Sequence, residues 1–543
     1  MANELAVTPM EGNALHTSLK KRYKAAKGIA DLWASILEAC FHYAVPFRNR
    51  FYQPGKDFQG EMKNARLFDT TAVEATKTFV SKLQDTMTPP QVQWGFYEVD
   101  ESMVDDAEAD IEVLQQAQLD LNNYMRRLFG FIQKSNFDVV INECYFDLAI
   151  GTSCIVVNQY TDKCPLLFTS IPIDKLCIEE GVDGKVHSWF RTWQDLKIAE
   201  LNTRWRHISL TASMYQDVMA DPDAKVKQVY EGVAYYPANK KPYCYAVWTD
   251  EAVLSVEWLD SSPGIVWRFQ KTNNETWGRG PVMDALPTII SCNEMARIEL
   301  AAANLNVFKP YMGFSDSVFN PHTFRLEPFT VIPIAPIGTG GQAPLIPLPS
   351  SADPQFAEMK IADLRMQIKS LLFAETASDS VGIQPQTAYE LSLKQQTLAE
   401  KIGPLFSRLQ QEFLEPVIER CAHILHTTGL LPKPKLDGIP IKFVYKSPLA
   451  LSKGQQDIAR LSQFVQVMQG IMGPEVTQIY MNPKTTPYLL AQDLQVDPRF
   501  LNNPAAVAQV MQAEQNKQSM QDMVNAEGMT PEAPENPSQQ TIG

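Results

Sequence analysis

The segment 307–352 contains eight prolines, and no residue of 328–352 carries a charge. That density of proline excludes a regular helix, because each proline removes a backbone donor and clashes with the preceding turn. The segments on both sides have helical periodicity, and two such helices span roughly 30–40 Å. An apolar tip so far from the body of the protein needs a cover, and the simplest cover is the same tip of a neighbouring copy. A proline-rich surface loop without a partner is the alternative.

The helix before this insert is predicted over 281–306. It begins at Gly280-Pro281, where a proline in the first helical position costs no hydrogen bond. The helix after the insert is predicted over 353–374 and follows Asp353-Pro354. In both segments apolar residues recur with the period of an α-helix. The sequence therefore predicts a helical hairpin with the proline-rich insert at its tip.

A short polar loop, 375–386, follows the second helix and contains Gly382 and Pro385 near its end. A third helix then begins on the capping-box pattern of Thr387 and Glu390. Its apolar residues continue to Ile424 at spacings of mostly three, four and seven. That pattern predicts one long helix after the loop.

The first part of the chain, 1–280, is predicted to be an α+β body with helices first and a sheet second. Residues 1–13 are expected to be loose. Helices are predicted from Leu15 to Phe41, after a capping box formed by Thr71 and Glu74, through 113–129 and over 136–150. Strands are predicted at Trp94–Val99, Ser153–Gln159, Pro165–Ile171, Lys175–Glu180, Val186–Thr192, Gln228–Tyr236, Tyr243–Thr249, Ala252–Glu257 and Ile265–Gln270.

Two helical interruptions of this sheet are predicted, a turn over Trp193–Leu201 and a helix over Thr211–Met219. After the long helix, a strand is predicted over Ile439–Tyr445. Further helices are predicted over 452–470, 474–481 and 507–525, and the last residues, rich in Pro, Glu, Ser and Gln, are expected to be disordered.

Length and charge restrict the class of protein. A chain of 543 residues exceeds one ordinary core, so two to four sub-domains are expected. The net charge of −14 argues against a protein that binds nucleic acid tightly through a large basic surface, but it is compatible with a negatively charged surface past which nucleic acid slides.

No apolar run is long enough for a transmembrane helix, and the N-terminus lacks a signal-peptide pattern. The eight cysteines form no Cys-x-x-Cys pair, which favours free thiols in a reducing compartment.

Several patterns that could carry chemistry are weak. Gly338 to Gly341 lacks the lysine and the following helix of a phosphate-binding loop. His423, His426 and Cys421 share a predicted helix, but without a further spaced ligand they favour ordinary packed or surface residues over a metal site. The basic residues near the start of the first helix favour a solvated face over a binding patch. We therefore expect no enzyme, no catalytic residue, no metal and no cofactor.

Three stretches carry a family likeness: LFDTTAVEATKTFVSKLQDTMTPPQVQWGFYEV, WGRGPVMDALPTIISCNEMARIELAAANLNVFKP and TAYELSLKQQTLAEKIGPLFSRLQQEFLEPVIERC. Together they resemble the portal proteins, or head-to-tail connectors, of short-tailed bacteriophages. The likeness extends through most of residues 15–430 and keeps the family's order of elements. Its most specific parts are the run from Gly278 to Pro287 and the run from Leu409 to Pro416.

The resemblance implies a homo-oligomeric ring, usually twelvefold, at one vertex of the capsid in the virion, with assembly in the host cytoplasm. Double-stranded DNA would enter and leave through its channel, driven in by a separate terminase. Capsid, scaffolding and tail adaptor proteins are the other implied partners, and no membrane is involved. The implied parts are a wing (1–280), stem helices (281–306 and 353–374), a clip (307–352), a tunnel loop (375–386), a long wing helix with a return strand (387–448), a helical crown (449–527) and a disordered tail (528–543).

The candidate site residues lie in these implied parts. The candidate channel residues are Thr376, Ser378, Asp379, Ser380, Gly382 and Gln384. The candidate phosphate contacts are Lys360, Arg365 and Lys369, for which salt bridges to Glu358, to Asp363 or to the next subunit are the alternative. The candidate clip contacts are Phe329, Val331, Ile332, Ile334, Ile337, Leu345, Ile346 and Leu348.

Two other functions stay open. A structural ring or tail adaptor without passage of DNA would have the same helices but a bore narrower than a duplex. A nuclease would need clustered carboxylates at strand ends, whereas the acidic segment 100–110 leads into a predicted helix.

Overall fold

The computed structural model describes residues 12–48, 67–100, 111–161, 164–205, 208–307, 311–313, 345–347, 354–375, 407–434, 440–445, 461–468 and 470. The chain divides into two compact units, Met1–Tyr445 and Lys446–Gly543. The described part of the second unit is helical, and every other element belongs to the first. Within the described residues, no helix is both long and apolar enough to cross a lipid bilayer.

Nine α-helices are assigned within the described part of the first unit. They are α1 (Asn13–Ala44), α2 (Thr71–Met87), α3 (Ile111–Gln133), α4 (Phe137–Ile150), α5 (Ile198–Arg204), α6 (Ala212–Ala220), α7 (Pro281–Val307), α8 (Pro354–Leu371) and α9 (Glu415–Thr427). A π-helical turn, Gln410–Leu414, directly precedes α9.

The described strands all pair antiparallel. They are β1 (Gly95–Val99), β2 (Thr152–Gln159), β3 (Leu166–Ser170), β4 (Leu176–Glu180), β5 (Val186–Lys197), β6 (Lys225–Tyr235), β7 (Tyr243–Trp248), β8 (Val253–Leu259), β9 (Gly264–Arg268), β10 (Gln270–Lys271), β11 (Gly278–Arg279), β12 (Tyr311–Gly313), β13 (Leu345–Pro347) and β14 (Ile441–Tyr445). The largest sheet is the meander β4-β5-β6-β7-β8, and a second sheet has the order β3-β2-β9. The pairs β1-β14, β10-β11 and β12-β13 form separate ribbons. This mixture of helices and antiparallel sheets confirms the predicted α+β class.

The main core lies between the helices and the sheet β3-β2-β9. Strand β2 is buried over Thr152–Val157, as expected for a central strand covered on both faces. Helix α2 buries one face at helical spacing, with Ala72, Ala75, Phe79 and Leu83 in the core. The first half of α7 and residues Ile361 and Ile368 of α8 belong to the same core. The hairpin helices are therefore rooted in the body of the protein.

The five-stranded sheet carries helices on both faces. Leu15, Leu19 and Ala26 of α1 pack on one face, against Phe190 and Trp248 among others. Helices α5 and α6 cover the opposite face, where Leu201 and Met214 pack with Val229 and Val247. Neighbouring residues such as Val247 and Trp248 point to opposite faces because side chains alternate along a strand.

The start of α2 differs from the predicted capping box. The N-cap residue is Thr70, and its side chain accepts no capping hydrogen bond. Thr71 is the first helical residue, and its backbone N–H donates to Oδ1 of Asp69 at 2.9 Å. A capping box from Thr71 to Glu74 is therefore wrong, because the helix begins one residue earlier than that pattern requires.

The helical turn predicted from Trp193 is also wrong at its start. Strand β5 continues to Lys197, and helix α5 begins only at Ile198. Asp195 takes a positive φ of 52° and has no partner in the register between β5 and β6. The register is the same on both sides of Asp195, with Gln194 opposite Gln228 and Leu196 opposite Val226, so the strand continues past Thr192 to Lys197.

Most of the predicted insert and loops lie outside the described residues. The exceptions in 307–352 are Val307, which ends α7, and the strands β12 and β13, which pair Met312 with Ile346. Only Glu375 of the loop 375–386 is described, as are only residues 407–434 and 440–445 of 387–448. The predicted loose N-terminal residues before Gly12, the acidic residues 101–110 and everything after residue 470 also fall outside.

Candidate functional site

The candidate site is the helical hairpin α7–α8 together with the groups that fix its base to the body. Both helices match the sequence prediction closely. Helix α7 covers Pro281–Val307. Helix α8 ends at Leu371, short of the predicted Ala374, because Phe373 takes a positive φ of 52° and breaks the helical path.

The chain enters α7 through a close approach of backbones. A side-chain Cβ on Gly280 would lie 2.3 Å from the carbonyl oxygen of Ala149, and one on Gly278 would lie 2.5 Å from the carbonyl oxygen of Gly151. The junction between α4 and β2 therefore touches the junction between β11 and α7 with no room for side chains. This contact explains why a Gly-Arg-Gly-Pro sequence starts the hairpin.

A polar clamp joins α7, α8 and the start of α2. Asn293 of α7 accepts, through Oδ1, the backbone N–H groups of Phe68 and Asp69. Arg365 of α8 donates from Nε to Oδ2 of Asp69 at 2.8 Å. Burial alone raises the pKa of the Asp69 carboxyl, but hydrogen bonds from Thr71 and Arg365 outweigh it and hold the pKa below the ordinary value. The clamp thus fixes both hairpin helices to the segment that directly precedes α2.

A second clamp holds the end of α8. Lys82 of α2 donates from its ammonium group to the carbonyl oxygens of Phe373 at 3.1 Å and Glu375 at 2.7 Å. A cation at the C-terminal end of a helix also interacts favourably with the helix dipole. The ring of Phe373 lies 6.1 Å from that of Phe79 on α2. Lys82 and Phe79 of α2 therefore both hold the residues that directly follow α8.

A buried ion pair fixes the π-turn before α9. Arg268 at the end of β9 is fully buried, and its Nη2 lies 2.8 Å from Oε1 of Glu412. The backbone N–H of Arg268 donates to the same carboxylate. In the π-turn, the N–H of Glu415 donates to the carbonyl of Gln410, five residues back. Pro416 has no N–H to offer the carbonyl four residues before it, which favours such an irregular turn.

The three predicted phosphate-contact residues lie in different surroundings. Lys360 is exposed and has no partner among the described residues. Arg365 is ion-paired with Asp69, not with Glu358 or Asp363 as the sequence alternative proposed. Lys369 is half-buried. The three side chains therefore differ in their exposure and in the partners that they already have.

The other predicted site residues are mostly not described. Thr376, Ser378, Asp379, Ser380, Gly382 and Gln384 lie outside the described residues, as do Phe329, Val331, Ile332, Ile334, Ile337 and Leu348. Leu345 and Ile346 lie in β13. Sequence reasoning missed Asp69, Lys82, Asn293 and Glu412. It also missed Arg268, which alone could have been found from sequence, because a charged residue in an apolar strand indicates a buried ion pair.

The histidines near the end of α9 have separate partners. Nε2 of His423 lies 3.7 Å from Asp260, and Nε2 of His426 lies 2.9 Å from the hydroxyl of Tyr124. Burial lowers the pKa of both imidazoles. Cys421 is buried, and all eight cysteines are unpaired thiols. Among the described residues, no three His, Cys, Asp or Glu side chains converge as metal ligands.

Comparisons with known proteins agree with the resemblance. The family of the bacteriophage head to tail connecting protein matches residues 16–501. A probable portal protein of Bordetella phage BPP-1 is 21% identical over 531 residues, which cover 93% of this chain and 92% of that protein. A chain from the virion of a native gene transfer agent particle aligns with a TM-score of 0.34 and 9% identity, over 81% of this chain and 96% of that chain. That structural likeness is too weak to support an argument.

Proposed function

The chain belongs to the bacteriophage head to tail connecting proteins, and on that premise we propose that it is a portal protein. Copies of it form a ring at one vertex of the capsid, and DNA enters and leaves the head through the ring. The ring is also the platform on which terminase and later the tail proteins dock. Members of the family are structural components of phage particles, and the chain is accordingly not an enzyme.

The proposed ring rests mainly on a second, exposed apolar face of the two hairpin helices. Ile361, Ile368 and Leu372 of the α8 segment are buried in the body, yet Met359 and Met366 of the same helix are 61% and 59% exposed. Helix α7 likewise exposes Ile290, Ile298 and Leu300. Helices that are apolar on opposite faces are normally covered on both. Neighbouring copies of the hairpin supply that cover in a ring.

The parts of the subunit follow from this assignment. The body 1–280 is the wing, the hairpin helices 281–306 and 353–374 are the stem, and 307–352 is the clip. Residues 375–386 form the tunnel loop, and Lys82 fixes the point from which that loop departs. The remaining parts are the long wing helix with its return strand (387–448), the crown (449–527) and the tail (528–543).

Passage of DNA requires weak contacts, because many fixed cations would hold the phosphates. The net charge of −14 supports sliding. Among the three stem residues, Lys360 is the strongest candidate for a transient phosphate contact because it is exposed and has no partner among the described residues. Arg365 keeps its role in the clamp with Asp69, and Lys369 is partly covered.

End-on electron microscopy of the purified chain tests the proposal. We expect closed rings with a central opening wide enough for duplex DNA. Met359→Glu combined with Met366→Glu should reduce the fraction of closed rings, whereas Glu358→Gln, an exposed change on the same helix, should not. Rings with a sealed centre in every class would instead indicate a tail adaptor, and the absence of rings under all assembly conditions, scaffold included, would exclude the portal assignment.

Deletion of Ser378–Ile383 tests the predicted tunnel loop. Rings should still assemble, while packaging or retention of DNA falls. Normal packaging by the deletion variant would show that the loop lies elsewhere.

A further inference from the structure

Helix α8 ends in a hydrogen-bond pattern that is usually closed by glycine. The N–H of Phe373 donates to the carbonyl of Ser370 at 3.2 Å, and the N–H of Ala374 donates to the carbonyl of Lys369 at 2.8 Å. These are the two bonds of a Schellman motif, whose turning residue takes the left-handed conformation. Phe373 is that residue, with a φ of 52°. Residues 369–375 form what we call the α8 cap.

Helix α9 ends in the same motif with glycine at the corresponding position. The N–H of Gly429 donates to the carbonyl of His426, and the N–H of Leu430 donates to that of Leu425, both at 3.1 Å. Gly429 has a φ of 72°. Glycine adopts this conformation readily, whereas the Cβ of another L-residue crowds the neighbouring carbonyl oxygen. Phe373 therefore holds a strained conformation at a position where α9 has glycine.

The local sequence favours a different conformation for the α8 cap. Residues 369–375 contain neither glycine nor proline, and Leu371, Leu372 and Ala374 are residues of high helix propensity. The sequence pattern accordingly predicts a helix that continues to Ala374, whereas the observed helix ends at Leu371. Local preference and tertiary structure therefore disagree at Phe373.

Contacts with α2 hold the cap in its strained form. Lys82 donates to the carbonyl oxygens of Phe373 at 3.1 Å and Glu375 at 2.7 Å. The ring of Phe373 lies 6.1 Å from that of Phe79, and Ala374 is buried in the main core. Straightening the chain at Phe373 would move Ala374 and Glu375 away from these contacts. The tertiary contacts therefore offset the strain that the left-handed residue introduces.

We propose that the α8 cap is a two-state conformational switch. Lys82 keeps Phe373 in the left-handed conformation, and loss of the Lys82 contacts lets α8 continue through Ala374. The bent state turns the chain at Phe373, whereas the straight state continues along the helix axis by about 1.5 Å per residue. Lys82 of α2 thus selects the direction in which the chain leaves the hairpin. This inference concerns a single chain and does not depend on the proposed ring.

Glycine and alanine at position 373 distinguish the two states. Phe373→Gly and Phe373→Ala both remove the ring, so the difference between the two variants reports the backbone conformation. The bent state favours glycine, and the amides of 372–374 should exchange about five-fold more slowly in Phe373→Gly than in Phe373→Ala. The straight state favours alanine, because glycine weakens a helix. Adding Lys82→Met to both variants should therefore abolish or reverse the difference. Hydrogen exchange of the full-length chain, followed by mass spectrometry, measures it.

Gly429→Ala calibrates the strain at the end of α9. A Cβ on Gly429 would meet no atom within 4 Å, so the change adds left-handed strain alone and should speed exchange of the Gly429 and Leu430 amides by about five-fold. Lys82→Met should leave that factor unchanged. Equal exchange in Phe373→Gly and Phe373→Ala with Lys82 intact would overturn the strained cap. A difference that persists unchanged with Lys82→Met would overturn the role of Lys82 and with it the switch.

Discussion

Arg365, on the second helix of the hairpin, donates from its Nε atom to Oδ2 of Asp69, which lies just before α2, across 2.8 Å. Asp69 is almost fully buried, whereas about half of the Arg365 side chain is exposed. The ion pair therefore holds a buried carboxylate by a cation at the surface. It also joins two segments almost 300 residues apart.

Removal of this cation should destabilise the fold modestly. Arg365→Met removes the cation from the Asp69 carboxylate, which keeps its hydrogen bonds from Thr71. We expect a loss of about 1 kcal/mol in the free energy of unfolding, since the exposed side of the pair is screened by solvent. Urea unfolding at neutral pH measures this loss. Lys360→Met, an exposed change on the same helix, should alter the free energy by less than about 0.5 kcal/mol.

The Arg365–Asp69 ion pair should also make the stability of the fold depend on pH. The pKa of Asp69 lies below its ordinary value in the folded protein, so its contribution to stability is present above the unfolded pKa and is lost as the pH falls through the folded pKa. The difference between wild type and Arg365→Met should therefore shrink in acid. An equal difference at neutral and strongly acidic pH would contradict the assignment.

Burial of Asp147 should make stability change with pH in the opposite direction. Burial raises the pKa of this carboxyl to about 7, although Arg48 lies 3.3 Å away and opposes the shift, while Asp174 and Glu143 add to it. The folded protein therefore binds more protons than the unfolded chain between the unfolded pKa, near 4, and pH 7, and stability falls as the pH rises through that range. Asp147→Asn should flatten this part of the profile. Urea midpoints from pH 4 to pH 8 measure it, and unchanged profiles would refute it.

Lys82 should control the local stability of the end of α8. Lys82→Met removes the donor to the carbonyls of Phe373 and Glu375, so the amides of 372–375 should exchange with solvent faster, by roughly five-fold for about 1 kcal/mol. Hydrogen exchange followed by mass spectrometry measures this region. Lys77→Met, an exposed change on the same helix, should leave the exchange unchanged.

Gly280 should tolerate no side chain. A Cβ at this position would lie 2.3 Å from the carbonyl oxygen of Ala149, so Gly280→Ala forces the start of α7 away from α4 and should cost about 1–3 kcal/mol. Gly130→Ala is the matched control. That glycine lies in a helix with no atom near the new Cβ, and the change should stabilise the chain by roughly 0.5–1 kcal/mol.

The Arg268–Glu412 pair should be the least tolerant of single changes. Both side chains are buried, and Arg268→Met leaves the carboxylate without its main cation, at a cost of about 3–5 kcal/mol. The double change Arg268→Met with Glu412→Leu removes both charges and should recover much of that loss. A double variant as unstable as the sum of two single variants would show that the two residues act independently.

The helices and strands were largely predictable from sequence, because their apolar residues repeat with clear periods. Helix α7 matches within one residue at its end, and every strand predicted in 1–280 is present. The errors have local causes. Strand β5 keeps pairing with β6 in one register beyond Thr192, although the sequence pattern changes there. The N-cap of α2 moved by one residue because Asp69, rather than Thr71, provides the acceptor.

The base of the hairpin was not predictable in the same way. Sequence spacing offered Arg365 only neighbours on its own helix, and its true partner is distant in the chain. Lys82 acts on backbone carbonyls, for which no residue pattern exists. The apolar periodicity predicted the hairpin and the family resemblance supplied its expected role, but tertiary contacts of single polar side chains require coordinates.

The π-turn at Gln410–Leu414 amounts to one surplus residue inserted in a helix. Each residue of an α-helix turns the chain by about 100° and advances it by about 1.5 Å. The surplus residue therefore changes the rotation, about the helix axis, of the helical stretch before the turn relative to α9. The hydrogen bond from Arg268 at the end of β9 to Glu412 in the turn fixes that rotation. Deleting Gln411 would yield a regular helix that presents Ser407, Arg408 and Leu409 in a new direction.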